Sequence, residues 1–196
     1  MAFNANDFRQ SFNNGTNNTP LSLTASPAYF EVEFGGMPGC LTRSDMRWST
    51  AKKLDKAARS IKHRAKAADL PARQMVSVQR AFNGPHKLVP YSSIYSTSII
   101  EFIETADFDI RTLFDTWQGM IEGNQRDYVS EYYDEIILPE LIVRAFDKSG
   151  KAKQEWIFYN VFPVSVNPSQ LNWDSKSSYI TVPIELSYYR WTYKTL

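Results

Sequence analysis

His63, His86 and Cys40 are the side chains that most readily do chemistry, and their spacing offers little to build a site on. Neither histidine has a cysteine or a second histidine at metal-ligand spacing, so no zinc site is expected. A thiolate nucleophile would need Cys40 beside His63 or His86, whereas a plain loop thiol needs nothing beside it. The chain has no GxSxG, P-loop or GxGxxG pattern to carry a nucleophile or cradle a phosphate. Paired carboxylates occur in "YYDEII" and "FIETADFD", and glycoside hydrolysis needs only two. Solvated or interface charges are the simpler account of both. A non-enzyme is expected, with no catalytic or metal-ligating residue and no cofactor.

The basic residues are better ordered. Lys52, Lys56, Arg59, His63 and Lys66 follow one another at spacings of four, three, four and three, which puts them on one face of a helix. Leu54, Ala57, Ala58, Ile61, Ala65 and Ala68 lie almost opposite. Ser49 suits the N-cap and Pro71 ends the pattern, so a basic amphipathic helix is expected over 49–68. Such a face has three uses. It can contact nucleic-acid phosphates, with Trp48 stacking on a base. It can lie on a membrane, although alanines are poor for that. Or it can be a solvated face against its own or another subunit, its alanine side buried too little to belong to the core.

The surrounding composition narrows these uses. The 196 residues are enough for one domain with a sizeable core, and a net charge of +1 does not suit a chain that binds nucleic acid throughout. The charge is uneven. Residues 41–73 hold ten Lys/Arg against Asp45, Asp55 and Asp69, while residues 99–140 hold eleven Asp/Glu against Arg111 and Arg126. That asymmetry points to a partner, another copy of the chain included. With one cysteine no internal disulfide can form, so a reducing compartment is expected. "MAFNANDFRQ" lacks the basic and apolar regions of a secretory signal, and no apolar run reaches the ~20 residues of a membrane span.

Along the chain, residues 1–27 are rich in Asn, Ser and Thr and are expected to be an extended arm. "AYFEVEF" alternates as a strand, and "GGMPGC" breaks it. Strands are expected between Met75 and Glu104, with Gly84, Pro85 and Pro90 marking turns. A helix is expected over 105–122, with Ile110, Leu113, Phe114, Trp117 and Ile121 on its packed face and Gly123 as its stop. Ile136–Phe146 and Glu155–Phe162 read as strands joined by the "DKSG" turn. In "SYITVPIELSYYRW" the residues Ile180, Val182, Ile184, Leu186 and Tyr188 should face a core, with Tyr179, Thr181 and Glu185 outward. Pro183 has no N–H to donate, which suits an edge or a bulge. Strands followed by one well-packed helix and more strands favour a mainly β fold, an antiparallel sandwich or barrel with a flanking helix.

"NVFPVSVNPSQLNWDSKSSYITVPIELSYYRW" resembles the end of tail tube proteins of T-even-like contractile phages, in Pro163, Leu171, Trp173, Asp174, Ser175 and the cluster Tyr188–Trp191. "KAADLPA", "SPAYFEVEF" and the helix around Phe114-Asp115-Thr116-Trp117 are similar to that family's Ala-x-x-Leu-Pro element, opening strand and flanking helix. Residues 37–65 look like an insertion in a domain over 28–196. The family fold is related to the inner tubes of type VI secretion and extracellular injection systems, and it also builds baseplate tube initiators. The resemblance implies a virion protein assembled in the host cytoplasm as hexameric rings stacked into a tube. A tail sheath and a tube initiator are its implied partners, and genomic DNA passes through the lumen without specific binding. Tyr179, Pro183, Tyr189 and Trp191, with Lys52, Lys56, Arg59, His63 and Lys66, are then candidates for subunit or sheath interfaces. The other class kept open is a nucleic-acid-binding module using 49–68.

Overall fold

The computed structural model describes residues 29–42, 48–81, 84–122, 133–147, 150–169 and 179–196, without the side chains of 48–51. The expected arm over 1–27 and the Trp173-Asp174-Ser175 element lie outside the described residues. The elements are β1 (Phe30–Phe34), α1 (Trp48–Ser60), β2 (Ala65–Ala68), β3 (Arg73–Arg80), β4 (Lys87–Tyr95), β5 (Ser98–Ile103), α2 (Asp109–Ile121), α3 (Tyr133–Ile136), β6 (Leu138–Phe146), β7 (Ala152–Val166), β8 (Thr181–Ser187) and β9 (Arg190–Thr195). Short 3-10 turns at Gly39–Thr42 and Ile61–His63 flank α1.

Seven strands form one antiparallel sheet in the order β1-β6-β7-β8-β5-β2, with β9 also on β7; β3 and β4 form a separate hairpin. The long strand β7 serves two partners on one side. Residues Gln154–Tyr159 pair with β9 and Phe162–Val166 with β8. The change of partner falls at Asn160, whose φ of 55° is left-handed. Asn tolerates that conformation better than other residues with a Cβ. At the other edge, Gly35 N–H donates to Glu140 O at 2.8 Å, and a Cβ on Gly35 would lie 2.8 Å from Glu140 Cβ.

The expected facing of the terminal strand is observed. Val182, Ile184, Leu186 and Tyr188 are buried, Ile180 is half-buried, and Tyr179 is exposed. The strand is shorter than its sequence pattern, however. It stops at Ser187, and after Tyr188 and Tyr189 the chain re-enters the sheet as β9. Pro183 is also not at an edge, since β8 lies between β5 and β7. In a strand the N–H and C=O of one residue point to the same side, and Pro183 O accepts from Asn167 N–H at 3.0 Å, just beyond the end of β7. The missing donor therefore faces a position where the ladder has already run out.

Helix α2 packs as expected, with Ile110, Leu113, Phe114 and Trp117 fully buried. Its start is unusual. Phe108, the N-cap, has a left-handed φ of 50° and no capping side chain. Glu104 caps the helix instead, accepting from the N–H of Thr105 and Ile110 (3.0 and 3.2 Å) and, on its other oxygen, from that of Arg111 (2.8 Å). A carboxylate there also faces the positive end of the helix dipole. Glu104→Ala should lower unfolding stability by about 2 kcal/mol. Urea denaturation should place Glu104→Gln, which retains one acceptor oxygen, between the variant and wild type.

The basic helix differs from its expected extent and depth. It ends at Ser60, whose Oγ donates to Ala57 O at 2.7 Å, and the chain turns through Ile61–His63 into β2. Ala65, Ala67 and Ala68 are good helix formers, but their backbone pairs with β5, and tertiary pairing outweighs local propensity. Lys66 therefore stands on a strand, apart from the stripe. Leu54, Ala57 and Ile61 are fully buried, so α1 belongs to the core after all.

Candidate functional site

The candidate interface residues fall in two places. Lys52, Lys56 and Arg59 lie on the exposed side of α1, and His63 is exposed in the turn that follows. Arg59 forms an i, i+4 pair with Asp55 at 2.6 Å. Lys66 pairs with Glu101 at 3.3 Å and lies 5.8 Å from the centroid of the Tyr179 ring, which brings two candidates together. Part of the basic segment thus meets the acidic middle of the chain within one subunit. Arg64 does the same, donating to Asp109 at 2.6 Å. Burial pushes the Asp109 carboxyl up, but hydrogen bonds from Thr105 and Arg64 outweigh this and hold it below the ordinary aspartate value.

The second place is the junction of β8 and β9. Tyr189 is 69% exposed, as an intermolecular anchor would be. Trp191 is half-buried, and its Nε1 is enclosed without a hydrogen-bond partner among the described residues. The Arg73 guanidinium lies 5.0 Å from the Trp191 ring centroid and 5.4 Å from that of Tyr95. Tyr188 OH reaches Ala72 O at 3.4 Å, and its ring lies 6.2 Å from Tyr95. Burial pushes the Tyr188 hydroxyl above the ordinary tyrosine value. These contacts fix the root of the β3–β4 hairpin to the body.

The hairpin itself is an element that the local sequence pattern does not single out. Its strands pair from Arg73↔Tyr95 to Arg80↔Lys87, roughly 25 Å of projection. Pro90 is no turn; it sits at the irregularity opposite Ser77. Met75, Val78, Leu88, Tyr91 and Ile94 are exposed, Tyr91 by 76%. The signal was present, because residues 70–100 carry apolar side chains on both strand faces and no carboxylate.

The outer face of the sheet carries a charge cluster. Glu31, Arg144, Glu155 and Lys194 occupy one row across β1, β6, β7 and β9. Arg144 donates to Glu155 at 2.6 Å, to Glu31 at 2.9 Å and to Glu33, while Lys62 stands 3.4 Å from Glu31. The bond from Arg144 holds the Glu33 carboxyl below the ordinary glutamate value. Among the described residues no group of three or more His, Cys, Asp or Glu could hold a metal ion. Cys40 is buried in the core, and His63 and His86 are exposed. Among the described residues no helix is long and apolar enough to cross a membrane.

The fold is mainly β: an antiparallel sheet over a core shared with α1 and α2, and a separate projecting hairpin. The chain belongs to the phage tail tube protein family, whose model matches residues 25–194. Similar solved structures include the sheath/tube terminator of the extracellular contractile injection system PVC in its extended state, at 12% identity and TM-score 0.59, covering 88% of this chain and 97% of that one. The PVC sheath-tube complex in the extended state aligns at 12% identity and TM-score 0.55 over 100% of both chains. The tube-terminating cap of the anti-feeding prophage aligns at 11% identity and TM-score 0.57 over 92% of this chain and 97% of that one. At these identities the likeness concerns the fold. No curated protein sequence matches the chain.

Proposed function

We propose that this protein forms the inner tube of a contractile phage tail, as hexameric rings stacked inside a sheath, through which the genome passes into the host. The observation that carries this is the β3–β4 hairpin. Its apolar side chains project on both faces and have no cover among the described residues, and large exposed apolar surface marks an interaction site. Membership of the tail tube family supplies the kind of interaction. The protein acts as a structural component of the virion, assembled in the host cytoplasm, and not as an enzyme. Exposed Tyr179 and Tyr189 suit subunit anchors, because Tyr is enriched at interface centres. Native mass spectrometry should find hexamers, and Leu88→Asp with Tyr91→Asp should leave the circular dichroism unchanged while reducing association at least tenfold. Unchanged association of that variant would contradict the role given to the hairpin. Assembly that stops at one or two rings would assign the protein to tube initiation or termination.

Lys52, Lys56 and Arg59 face away from the lumen in this proposal. A ring of exposed cations along the passage would hold DNA, since each neutralised phosphate strengthens binding. The triple reversal Lys52→Glu, Lys56→Glu, Arg59→Glu should leave the monomer folded, exposed ion pairs being worth only ~0–1 kcal/mol each. It should impair stacking or sheath assembly most clearly at low salt. Normal tails from this variant would count against an interface on α1. Tight binding of short DNA with a steep salt dependence would instead favour a nucleic-acid module.

A further inference from the structure

We infer that the β3–β4 hairpin turns on a hinge at its root, and that Arg73 is the latch that holds it in the orientation observed. Val76, Ser93 and Tyr95 apart, every residue of β3 and β4 is exposed, so little along the hairpin's length fixes its angle. Both connections to the body are anchored on the body side. Asp69 N–H donates to Ile99 O at 2.9 Å, Ser98 Oγ to Asp69 O at 2.7 Å, and Thr97 Oγ1 to Glu185 Oε1 at 2.6 Å. Between these anchors and the two strands lie residues 70–72 and Ser96, which belong to no helix or strand. A few such residues at element ends absorb a rigid-body turn. The contacts that cross the hinge are weak. Arg73 on β3 lies over the Trp191 ring on β9 at 5.0 Å, and Tyr95 on β4 meets the Tyr188 ring at 6.2 Å. The bond from Tyr188 OH to Ala72 O, at 3.4 Å, is long for a hydroxyl donor. Against them stands Trp191 Nε1, enclosed without an acceptor among the described residues. An enclosed donor left unpaired costs about as much as a cation–π contact returns. The two nearly cancel, so the latch is poised. Lifting Arg73 from the Trp191 ring gives up one attraction and lets water reach the indole N–H. The hinge belongs to a single subunit and does not depend on the tube proposal.

Distances between nitroxide labels on the full chain test this, read by double electron–electron resonance. Gln79→Cys on the hairpin and Lys151→Cys on the body are exposed label sites, and Cys40 is buried and takes no label. Diluting the labelled chain into unlabelled chain keeps the distances within one subunit. Two distance populations are expected. Arg73→Ala should raise the turned population roughly fivefold by removing the latch. Tyr95→Leu, which removes the second ring beside Arg73, should act in the same direction if Arg73→Ala folds poorly. Trp191→Phe keeps an aromatic face and deletes the unpaired N–H, so it should lower the turned population roughly fivefold. A part that was merely structural would loosen in all three variants. A turned population that rises in Trp191→Phe would therefore overturn the inference. One distance, the same in wild type and every variant, would overturn it too.

Discussion

Trp117→Ala is expected to cost ~3–5 kcal/mol of folding stability, the range for emptying an aromatic site in a packed core. Trp117 is fully buried, stacks on Phe114 with centroids 6.0 Å apart, and meets Phe34 edge-on at 6.3 Å. Its Nε1 donates to Ile136 O at 2.6 Å, tying α2 to α3. Truncation therefore opens a cavity and leaves a carbonyl without its donor. For a domain of this size the melting temperature should fall by about 10 °C or more. Trp117→Phe keeps most of the volume and loses the hydrogen bond, so it should cost clearly less. Equal losses from the two variants would mean that packing around α2 contributes little.

The second large effect is expected at Arg144. Removing it as Arg144→Met leaves Glu31, Glu33 and Glu155 close together, with Lys62 as the nearest remaining cation. Breaking an enclosed pair on one side typically costs ~3–5 kcal/mol, and Arg144 is 23% exposed, which points to the lower end. The pH dependence gives the sign. The folded-state carboxyl of Glu33 is held below its ordinary 4.5, so its contribution is fully present above about that pH and is lost as the pH falls through the folded value. Wild type should lose stability on acidification through this window, and Asp109, held below its ordinary 3.8, should add to the loss. In Arg144→Met the clustered carboxylates repel, and protonation relieves them. The variant should lose less stability than wild type between pH 5 and pH 3, or gain some, in urea melts. Parallel pH curves for the two proteins would contradict the arrangement.

Where burial follows a local period, it was legible in the sequence. The alternation through Val182, Ile184 and Leu186 gave the facing of β8, and the stripe of Ile110, Leu113, Phe114 and Trp117 gave that of α2. What depended on partners distant in sequence was not legible. Ala65–Ala68 reads as helix until β5 claims its backbone. Asn160 reads as an ordinary strand residue until β9 and β8 share one side of β7. Pro183 looks like an edge marker because the end of β7 beside it cannot be foreseen. The surroundings of the candidate interface residues were legible only in part. Lys66 pairs with Glu101 and Trp191 lies against Arg73 within the subunit, contacts that local sequence does not show. The exposure of the hairpin was not legible because apolar strands are normally covered, and local sequence does not show where cover is absent among the described residues.

Self-assembly into a tube is the central claim, and negative-stain electron microscopy of the purified full chain tests it most directly. The expected images show ring-shaped end views with a central channel, and stacks of those rings that lengthen with protein concentration. Uniform single particles of monomer size at every concentration and salt condition would contradict the account.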